Sequence, residues 1–392
     1  MVKIILKQGK EEAVKRFHPW IFSGAIKNIQ GEPQEGDVVE VYTVDGKYAA
    51  TGHYQIGSIA VRILSFIQEK IDDNFWFNKL SEAYKLRQQL GLVNNAETTA
   101  YRLVHGEGDG LPGLIIDIYG AMAVFQAHSA GMYLERERIS ECLKKIYGSR
   151  LVAVYDKSAA TVPFKAGLNA HDNYLYGSPT GNKILEYGNG FIINWKEGQK
   201  TGFFLDQREN RRLLEQYCKN ALVLNMFCYT GGFSVYALQG GAKLVHSVDS
   251  SAKAVDLTRQ NVALNFGTEV AHEAFVTDAF EFMHNACNEY NVIILDPPAF
   301  AKHTQALHNA LQAYKRINTQ ALTRIQAGGI LFTFSCSQVV SREYFRQAVF
   351  SAAAISERNV RILHQLTQPA DHPISIYHPE GEYLKGLILY VE

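Results

Sequence analysis

In the second half of the chain, short apolar segments alternate with helical patterns, and this alternation constrains the fold more than any other feature. Candidate strands cover residues 221–226, 243–248, 273–277, 292–295, 329–335 and 387–391, with helical spacing between most of them. Parallel strands need long crossover connections, which helices usually supply. The pattern therefore predicts an α/β fold with a mostly parallel sheet covered on both faces.

The first half of the chain has a different organisation. Residues 1–68 contain short strand patterns separated by turn signals such as Asp45-Gly46, which favour a small β-barrel. Residues 69–95 are polar and helical in pattern, and we interpret them as a linker, whereas residues 101–170 mix strand and helix patterns. For a chain of 392 residues we predict three domains, over residues 1–70, 75–175 and 180–392.

Three successive strand ends carry groups that a nucleotide-like cofactor needs. The first strand enters a turn at Gly231-Gly232, and the next two end at Asp249 and Asp278. Glycines let a ligand approach the backbone, the following helix start favours a carboxylate, and an aspartate accepts ribose hydroxyls. The alternative is a tight turn and two helix caps, but three such features together favour S-adenosylmethionine (SAM). The predicted SAM contacts are Phe227, Tyr229, Thr230, Gly231, Gly232, Asp249, Ser250, Asp278, Ala279 and Asp296.

The fourth strand places Asp296 at the carboxyl edge of the sheet, where ligands bind in open α/β folds. Pro297 and Pro298 follow it, and each ring fixes its own φ and stiffens the loop. A core strand stopped by prolines is the alternative interpretation. The Asp-Pro-Pro-aromatic pattern is more specific, and it resembles the substrate-facing loop of nucleic-acid methyltransferases.

Cys336 ends the fifth strand between two serines, and it is the candidate nucleophile. Carbon 5 of cytosine is a poor nucleophile, but a thiolate that adds to carbon 6 makes carbon 5 enamine-like. Asp296, sharing a proton with ring N3, would stabilise the charge that this addition builds up. A buried small hydrophobe is the default role of a cysteine. Cys228 is the competing candidate, and we interpret it as packing beside the cofactor.

Three other functions fit parts of the sequence. A methyltransferase that modifies a guanine or adenine nitrogen uses a similar Asp-Pro-Pro loop and needs no nucleophilic cysteine. A non-catalytic RNA-binding protein has no need of Asp249, Asp278 and Asp296. A dinucleotide-dependent oxidoreductase lacks support, because the chain has no GxGxxG fingerprint.

Several long motifs resemble one known family over essentially the whole chain. They cover residues 16–24, 102–114, 198–208, 296–300, 335–337 and 379–387. The family is that of the ribosomal RNA large subunit methyltransferase I enzymes. The resemblance implies a C-terminal Rossmann-like SAM-dependent methyltransferase domain, a small central α+β domain and an N-terminal PUA β-barrel that binds RNA. It also implies 5-methylcytosine formation in 23S rRNA and a homodimer.

The resemblance adds two residues to the predicted SAM site. Asp206 and Arg208 belong to the segment that lies against SAM in this family. No residue is assigned as the base that removes the carbon 5 proton. Many RNA cytosine-5 methyltransferases carry a second cysteine in the fourth motif, where this chain has Ala299.

Charge and cysteine content restrict the remaining possibilities. Lys plus Arg and Asp plus Glu both number 39, which argues against a basic coat over the whole protein. A local basic face stays possible, and Trp20 and Phe22 beside it are better interpreted as barrel core than as stacking platforms. The basic residues are Lys3, Lys7, Lys10, Lys15, Arg16 and Lys27.

The five cysteines are Cys142, Cys218, Cys228, Cys287 and Cys336, and none is in a CxxC spacing. This distribution argues against a disulfide framework and against a structural zinc site, and it is typical of a reducing compartment. There is also no apolar run of signal-peptide or membrane-spanning length. We therefore expect a cytoplasmic protein without membrane contact.

Overall fold

A computed structural model describes residues 2–163, 166–179, 181–285 and 290–392, so Cys287 lies outside the described residues. The chain divides into two compact units. The first contains residues 1–184, 193–205 and 370–381, and the second contains residues 185–192, 206–369 and 382–392. Among the described residues, no helix has both the length and the apolar character needed to cross a membrane.

The first unit begins with a six-stranded sheet. Its elements are β1 (Val2–Leu6), α1 (Glu12–Lys15), β2 (Trp20–Phe22), β3 (Ile26–Gln30), β4 (Val38–Tyr42), β5 (Tyr48–Tyr54) and β6 (Ile59–Ser65). The strand order is β2-β6-β5-β4-β1-β3. Every second residue is buried along β1 and β4, including Ile4, Leu6, Val39 and Val41, which is the period expected of strands with one core face.

A five-stranded sheet with helices follows in the same unit. Its elements are α2 (Asp73–Gln89), β7 (Ala100–His105), β8 (Leu114–Tyr119), β9 (Met122–Ala127), α3 (Ala130–Leu134), α4 (Arg136–Tyr147), β10 (Ala153–Asp156) and β11 (Asn173–Gly177). The interpretation of residues 69–95 as a linker is wrong. Helix α2 buries Trp76 and Leu80 in one core with Leu103 and Ile116, because its apolar residues face the sheet.

The motif at residues 102–114 builds a buried charged network in this unit. The Arg87 guanidinium, which is 0% exposed, pairs with Asp109 and donates to the Asp371 carbonyl over 2.7 Å. Arg102 makes a two-pronged pair with Asp117 at 2.8 and 2.9 Å. Removing one partner of such a buried pair typically costs about 3–5 kcal/mol of stability. These contacts therefore give the motif a structural role.

The N-terminal surface differs from one sequence-based interpretation. Phe22 is 47% exposed, so the assignment of this side chain to the barrel core is wrong. Strand β2 turns alternate residues outward, and Phe22 lies on the outer face while Ile21 is buried. Trp20 is half-buried, and its Nε1 donates to Glu107 Oε1 over 2.8 Å. All six predicted basic residues are exposed.

The last elements form a separate strand pair and the predicted mostly parallel sheet. They are β12 (Lys183–Glu186), β13 (Asn189–Ile192), α5 (Arg208–Leu214), β14 (Leu222–Met226), α6 (Gly232–Gln239), β15 (Leu244–Asp249), α7 (Ala252–Phe266), β16 (His272–Val276), α8 (Ala279–Asn285), β17 (Val292–Leu295), α9 (Leu307–Arg324), β18 (Gly329–Ser335), α10 (Arg342–Ile355), β19 (Val360–Leu366) and β20 (Lys385–Val391). Strands β12 and β13 form a separate pair.

The order of the seven-stranded sheet is β16-β15-β14-β17-β18-β20-β19, with β20 antiparallel to both neighbours. The predicted Rossmann-like α/β fold is confirmed. Strand β19 was not predicted, because most of its side chains are exposed at the sheet edge and give no apolar period. The strand order reverses direction on either side of β14, so the carboxyl end of β14 is the switch point where ligands bind in such folds.

Apolar side chains cover both faces of this sheet. Along β17, Ile293 and Leu295 pack in one cluster, and Val292 and Ile294 pack in the other. Burial on both faces explains why the strand is continuously apolar instead of alternating. The apolar strand thus ends abruptly at the polar residue Asp296, at the carboxyl edge.

Candidate active site

The loop between β14 and α6 has an unusual backbone. Phe227, Tyr229 and Gly231 have φ angles of 58°, 46° and 75°, in the left-handed region. Non-glycine residues rarely adopt this conformation, and it is concentrated at ligand sites. Helix α7 holds the loop in this shape, since Thr258 Oγ1 donates to the Tyr229 carbonyl and Asn261 Nδ2 donates to the Thr230 carbonyl, both at 2.9 Å.

Asp249 lies directly beside this loop. Its Oδ2 accepts a hydrogen bond from Tyr229 N at 3.0 Å, and its Oδ1 accepts one from Ser251 N at 2.9 Å. Each carboxylate oxygen has about two acceptor positions, so these two bonds leave the group able to accept from a ligand as well. The neighbouring Ser250 is exposed. The geometry brings two of the predicted SAM contacts, Asp249 and Tyr229, together.

Asp278 follows β16 at the same edge. Its Oδ1 accepts from Phe280 N and Glu281 N at 2.9 and 3.1 Å, so the side chain caps helix α8. These contacts agree with the alternative interpretation, in which Asp278 is a helix cap. Asp278 is exposed, whereas Ala279 is buried. A contact of Asp278 with an adenine amino group stays a prediction.

Asp206 and Arg208 are both buried at the start of the second unit's main segment. Asp206 Oδ2 accepts from Tyr383 Oη at 2.7 Å. Arg208 Nε donates to Glu209 Oε1 at 3.1 Å. These contacts place Asp206 against the C-terminal motif, and the predicted contact of either residue with SAM stays a prediction.

Asp296 is oriented by a residue that the sequence did not single out. Gln207 Nε2 donates to Asp296 Oδ1 over 3.0 Å. Asn210 Nδ2 in turn donates to Gln207 Oε1 over 2.6 Å, which fixes the direction of the Gln207 amide. Gln207 lies between Asp206 and Arg208 in the motif at residues 198–208, so that motif was the available signal.

The loops after β17 and β18 are joined by hydrogen bonds. Cys336 is half-buried, and its Sγ lies 4.0 Å from the Pro297 carbonyl oxygen. Ser337 Oγ donates to the Ala301 carbonyl over 2.6 Å. The two strands are parallel neighbours, with Leu295 paired to Thr333. The predicted pair Asp296 and Cys336 therefore lies at the ends of adjacent strands.

Lys385 is a second residue that the sequence analysis did not single out. It pairs with Ser335 across β18 and β20, and its Nζ donates to the Ser337 carbonyl over 2.6 Å. Burial lowers the pKa of Lys385 to about 8, while the electrostatic interaction with Cys336 acts in the opposite direction. Lys385 belongs to the motif at residues 379–387, which was the available signal.

Cys228 has a different environment. It is 5% exposed, and its Sγ lies 3.6 Å from Thr258 Oγ1. Burial raises the pKa of the Cys228 thiol to about 12. A thiolate is disfavoured there, which agrees with the interpretation of Cys228 as a packing residue beside the β14–α6 loop.

Two family models match the chain. One, described as a PUA-like domain, matches residues 4–66, and the other, described as an S-adenosylmethionine-dependent methyltransferase, matches residues 164–375. Ribosomal RNA large subunit methyltransferase I from Aeromonas hydrophila is 41% identical over 395 residues, covering 98% of both chains. The Escherichia coli protein of that name is 37% identical over 393 residues, again 98% of both chains. The chain belongs to this methyltransferase family.

SAM is accordingly the cofactor of this methyltransferase. The second unit has a suitable place for this cofactor. The β14–α6 loop, with its left-handed backbone, contacts the Asp249 carboxylate at the switch point of the sheet. A Streptococcus mutans protein assigned as a SAM-dependent methyltransferase shares the fold, with a TM-score of 0.84, 23% identity and 100% coverage of both chains.

The fold also extends to an enzyme named for a different product. The tRNA m1G37 methyltransferase of M. jannaschii aligns with a TM-score of 0.51 at 16% identity, over 92% of each chain. Fold similarity at this level leaves the methylated atom undetermined, so that question depends on the residues of the site.

Proposed function

We propose that this enzyme methylates carbon 5 of a cytosine in 23S rRNA through a covalent adduct of Cys336. The observation that carries the proposal is the placement of Cys336 beside the Asp-Pro-Pro loop, with Sγ 4.0 Å from the Pro297 carbonyl. The name of the relatives supports ribosomal RNA of the large subunit as the substrate. Such a substrate agrees with the cytoplasmic location expected from the sequence.

The residues of the site divide the reaction into easier steps. The Cys336 thiolate forms a bond to carbon 6, and the electron pair of the C5–C6 double bond moves towards carbon 5 and N3. Asp296, held by Gln207 over 3.0 Å, shares a proton with N3 and so stabilises this charge. SAM would supply the methyl group that carbon 5 attacks, and the electron pair of the methyl–sulfur bond would leave with S-adenosylhomocysteine. A base then takes the carbon 5 proton, the electron pair of the C5–H bond restores the C5–C6 double bond, and the bond between carbon 6 and Sγ breaks with its electron pair returning to Cys336.

In this proposal SAM binds at the same carboxyl edge of the sheet. We place the methionyl carboxylate at the loop from Phe227 to Gly232, where it meets the start of helix α6, and the ribose hydroxyls at Asp249. Asp278 is the acceptor for the adenine amino group in this proposal. The remaining contacts are Ser250, Ala279, Asp206, Arg208 and Asp296.

The RNA is bound in this proposal by the PUA-like domain. Six basic residues are exposed among the first 30, and Phe22 offers an exposed ring beside them. Lysine and arginine contacts to phosphates supply affinity that does not depend on sequence, and exposed aromatic rings stack on bases. These surface properties are the support for an RNA-binding role.

The substitution Cys336→Ala tests the reaction. We expect normal SAM affinity and loss of nearly all methyl transfer, because carbon 5 lacks the electron density to attack without the adduct. The small side chain removes little packing compared with the roughly 2–5 kcal/mol of a Leu→Ala change. Methyl transfer to rRNA that lacks the modification is measured with labelled SAM, and the product nucleoside is identified by mass spectrometry.

Two controls make this experiment decisive. RNA carrying 5-fluorocytosine should trap the wild-type enzyme covalently, since fluorine cannot leave as a proton, and Cys336→Ala should not be trapped. Cys228→Ala should keep both activity and trapping, because burial disfavours its thiolate. A Cys336→Ala enzyme with wild-type activity would replace the cytosine proposal by methylation of a guanine or adenine nitrogen.

A further inference from the structure

Lys385 places a buried positive charge next to the segment that carries Cys336. The side chain is 3% exposed, and its Nζ donates to the carbonyl of Ser337, the residue after Cys336. We propose that Lys385 is a positioning residue that acts through Cys336, holding a positive charge against the sulfur and so favouring the thiolate. This inference rests on the nucleophilic role proposed for Cys336.

The position of Lys385 in the sheet does not require a charge for packing. It starts strand β20, where Leu387 and Ile388 are buried apolar residues, and a buried lysine is unfavourable unless another group compensates it. Its burial also keeps the ammonium out of contact with RNA. A role in the reaction must therefore pass through a neighbour, and Cys336 immediately precedes Ser337, whose carbonyl accepts from Lys385 Nζ over 2.6 Å.

The other charged groups around this pair have partners of their own. Glu382 and Arg342 act on Lys385 with opposite signs, and they form an ion pair with each other at the partly exposed edge. Their effects therefore largely cancel and are screened by solvent. Arg342 is thus a compensated cation, whereas Lys385 is a buried one.

Two other titratable groups of this site are Tyr314 and Asp296. Tyr314 accepts a hydrogen bond from Ser335, and burial raises the pKa of its hydroxyl, so it stays neutral. The Asp296 carboxylate accepts from Gln207. Neither group favours a thiolate, because one is neutral and the other is negative. Lys385 supplies the charge of the required sign.

The ionisation of Cys336 balances with solvent water. The Cys336 S–H bond breaks, its electron pair stays on sulfur, and the proton passes to water, while Lys385 remains an ammonium ion. With a pKa of about 8, Lys385 keeps its proton at neutral pH and so supplies the positive charge. The thiolate then adds to carbon 6 while the ammonium remains on the Ser337 carbonyl.

The rate of Cys336 alkylation by iodoacetamide against pH tests the coupling without any methyl transfer. The peptide containing Cys336 is quantified by mass spectrometry in the wild type, Lys385→Met, Lys385→Arg and Lys243→Met. In Lys385→Met we expect the inflection to move to higher pH and the rate near neutral pH to fall about tenfold. Lys385→Arg, which keeps the charge, should stay near the wild type.

Lys243→Met is the matched control. Lys243 is exposed and precedes β15, at the opposite end of the strands, so its loss changes the net charge equally without acting on Cys336. SAM affinity verifies the fold of each variant. Wild-type alkylation of Cys336 in a Lys385→Met protein that binds SAM normally would overturn the proposal.

If Lys385→Met does not fold, the coupling is measured from the other side. The titration of Lys385, followed by the ¹³Cε signal of labelled lysine, should move to lower pH in Cys336→Ala, because the thiolate that favours the ammonium is gone. An unchanged midpoint overturns the proposal. Coupling in an enzyme whose Cys336→Ala variant still methylates RNA would instead refute the proposed reaction and leave the coupling established.

Discussion

Asp249 accepts two backbone hydrogen bonds, and in our proposal it also binds the ribose of SAM, so its substitution tests a structural and a ligand-binding role. In Asp249→Ala we expect SAM affinity to fall roughly ten- to a hundredfold, since a charge-assisted hydrogen bond contributes about 1.5–3 kcal/mol. The loss of the bonds from Tyr229 N and Ser251 N would also loosen the β14–α6 loop. Calorimetry of SAM binding measures the effect.

Two further variants show which role dominates at Asp249. Asp249→Asn keeps one oxygen acceptor and should lie between the wild type and the alanine variant. Glu273→Ala removes an exposed carboxylate from the neighbouring strand β16 and should bind SAM normally. Unchanged SAM affinity in Asp249→Ala would remove Asp249 from the cofactor site.

At the scale of the element, the turn between β14 and α6 depends on Gly231. Its φ is 75°, and a Cβ there would lie 2.6 Å from Thr258 Cγ2. In Gly231→Ala we expect a loss of about 1–2 kcal/mol from the left-handed backbone alone, with a further loss from the steric clash. Urea unfolding should show the loss of stability, and SAM affinity should fall with it.

A second substitution in the same element tests the cause. Thr258→Ser removes Cγ2 and keeps the hydroxyl that donates to the Tyr229 carbonyl, so it should recover part of the stability lost in Gly231→Ala. Gly232→Ala should cost less, because Gly232 does not lie in the left-handed region, and a Cβ there would meet Arg211 Cδ at 2.9 Å instead of 2.6 Å. Equal losses in Gly231→Ala and Gly232→Ala would contradict the explanation.

At the scale of the whole molecule, RNA affinity should depend on the exposed charges of the first 30 residues. Deleting the N-terminal domain is a poor test, because Leu64 belongs to the core that also contains Trp76 and Leu103. In Lys10→Ala/Lys27→Ala we expect weaker RNA binding and a smaller salt dependence. The log–log salt slope should decrease by roughly 0.7–0.9 for each phosphate that the variant no longer neutralises.

The matched control removes two exposed lysines elsewhere. Lys219 and Lys243 precede β14 and β15, at the end of the sheet opposite the candidate site. Filter binding at several salt concentrations compares the two double variants. An equal change of slope in both would show that net charge, and not the N-terminal surface, determines RNA affinity.

The pH dependence of stability is a second property of the whole molecule. Burial lowers the pKa of His53 and of His272 to about 4. Below the ordinary value of about 6.5 the unfolded chain binds protons that the folded chain does not, so stability is lost as the pH falls from about 6.5 to 4. Each histidine contributes about 1.4 kcal/mol per pH unit there.

One buried carboxyl acts in the opposite direction. Burial raises the pKa of Asp156 to about 6, so its contribution increases stability as the pH falls. The difference between the wild type and His53→Leu isolates a single histidine. Urea unfolding between pH 7 and 5 should show a shallower loss of stability in that variant, and parallel curves would contradict the assignment.

Much of the catalytic half was predictable because its signals are local. Four apolar residues from Val292 to Leu295 specify a strand buried on both faces, and the polar residue that follows must lie at its edge. The same reasoning placed Asp249 and Cys336. The N-terminal and central domains were predicted from local signals as well, since each family motif is a run of neighbouring residues.

Tertiary structure decided which side chains meet. Gln207 reaches Asp296 across 89 residues of sequence, and Lys385 reaches the Ser337 carbonyl across 48. Helix α2 is polar enough to be mistaken for a linker until the sheet that covers Trp76 is present. A strand pattern encodes where a strand ends, but not its neighbours in the sheet. Those neighbours follow from the packing of the whole sheet, in which β18 lies between β17 and β20.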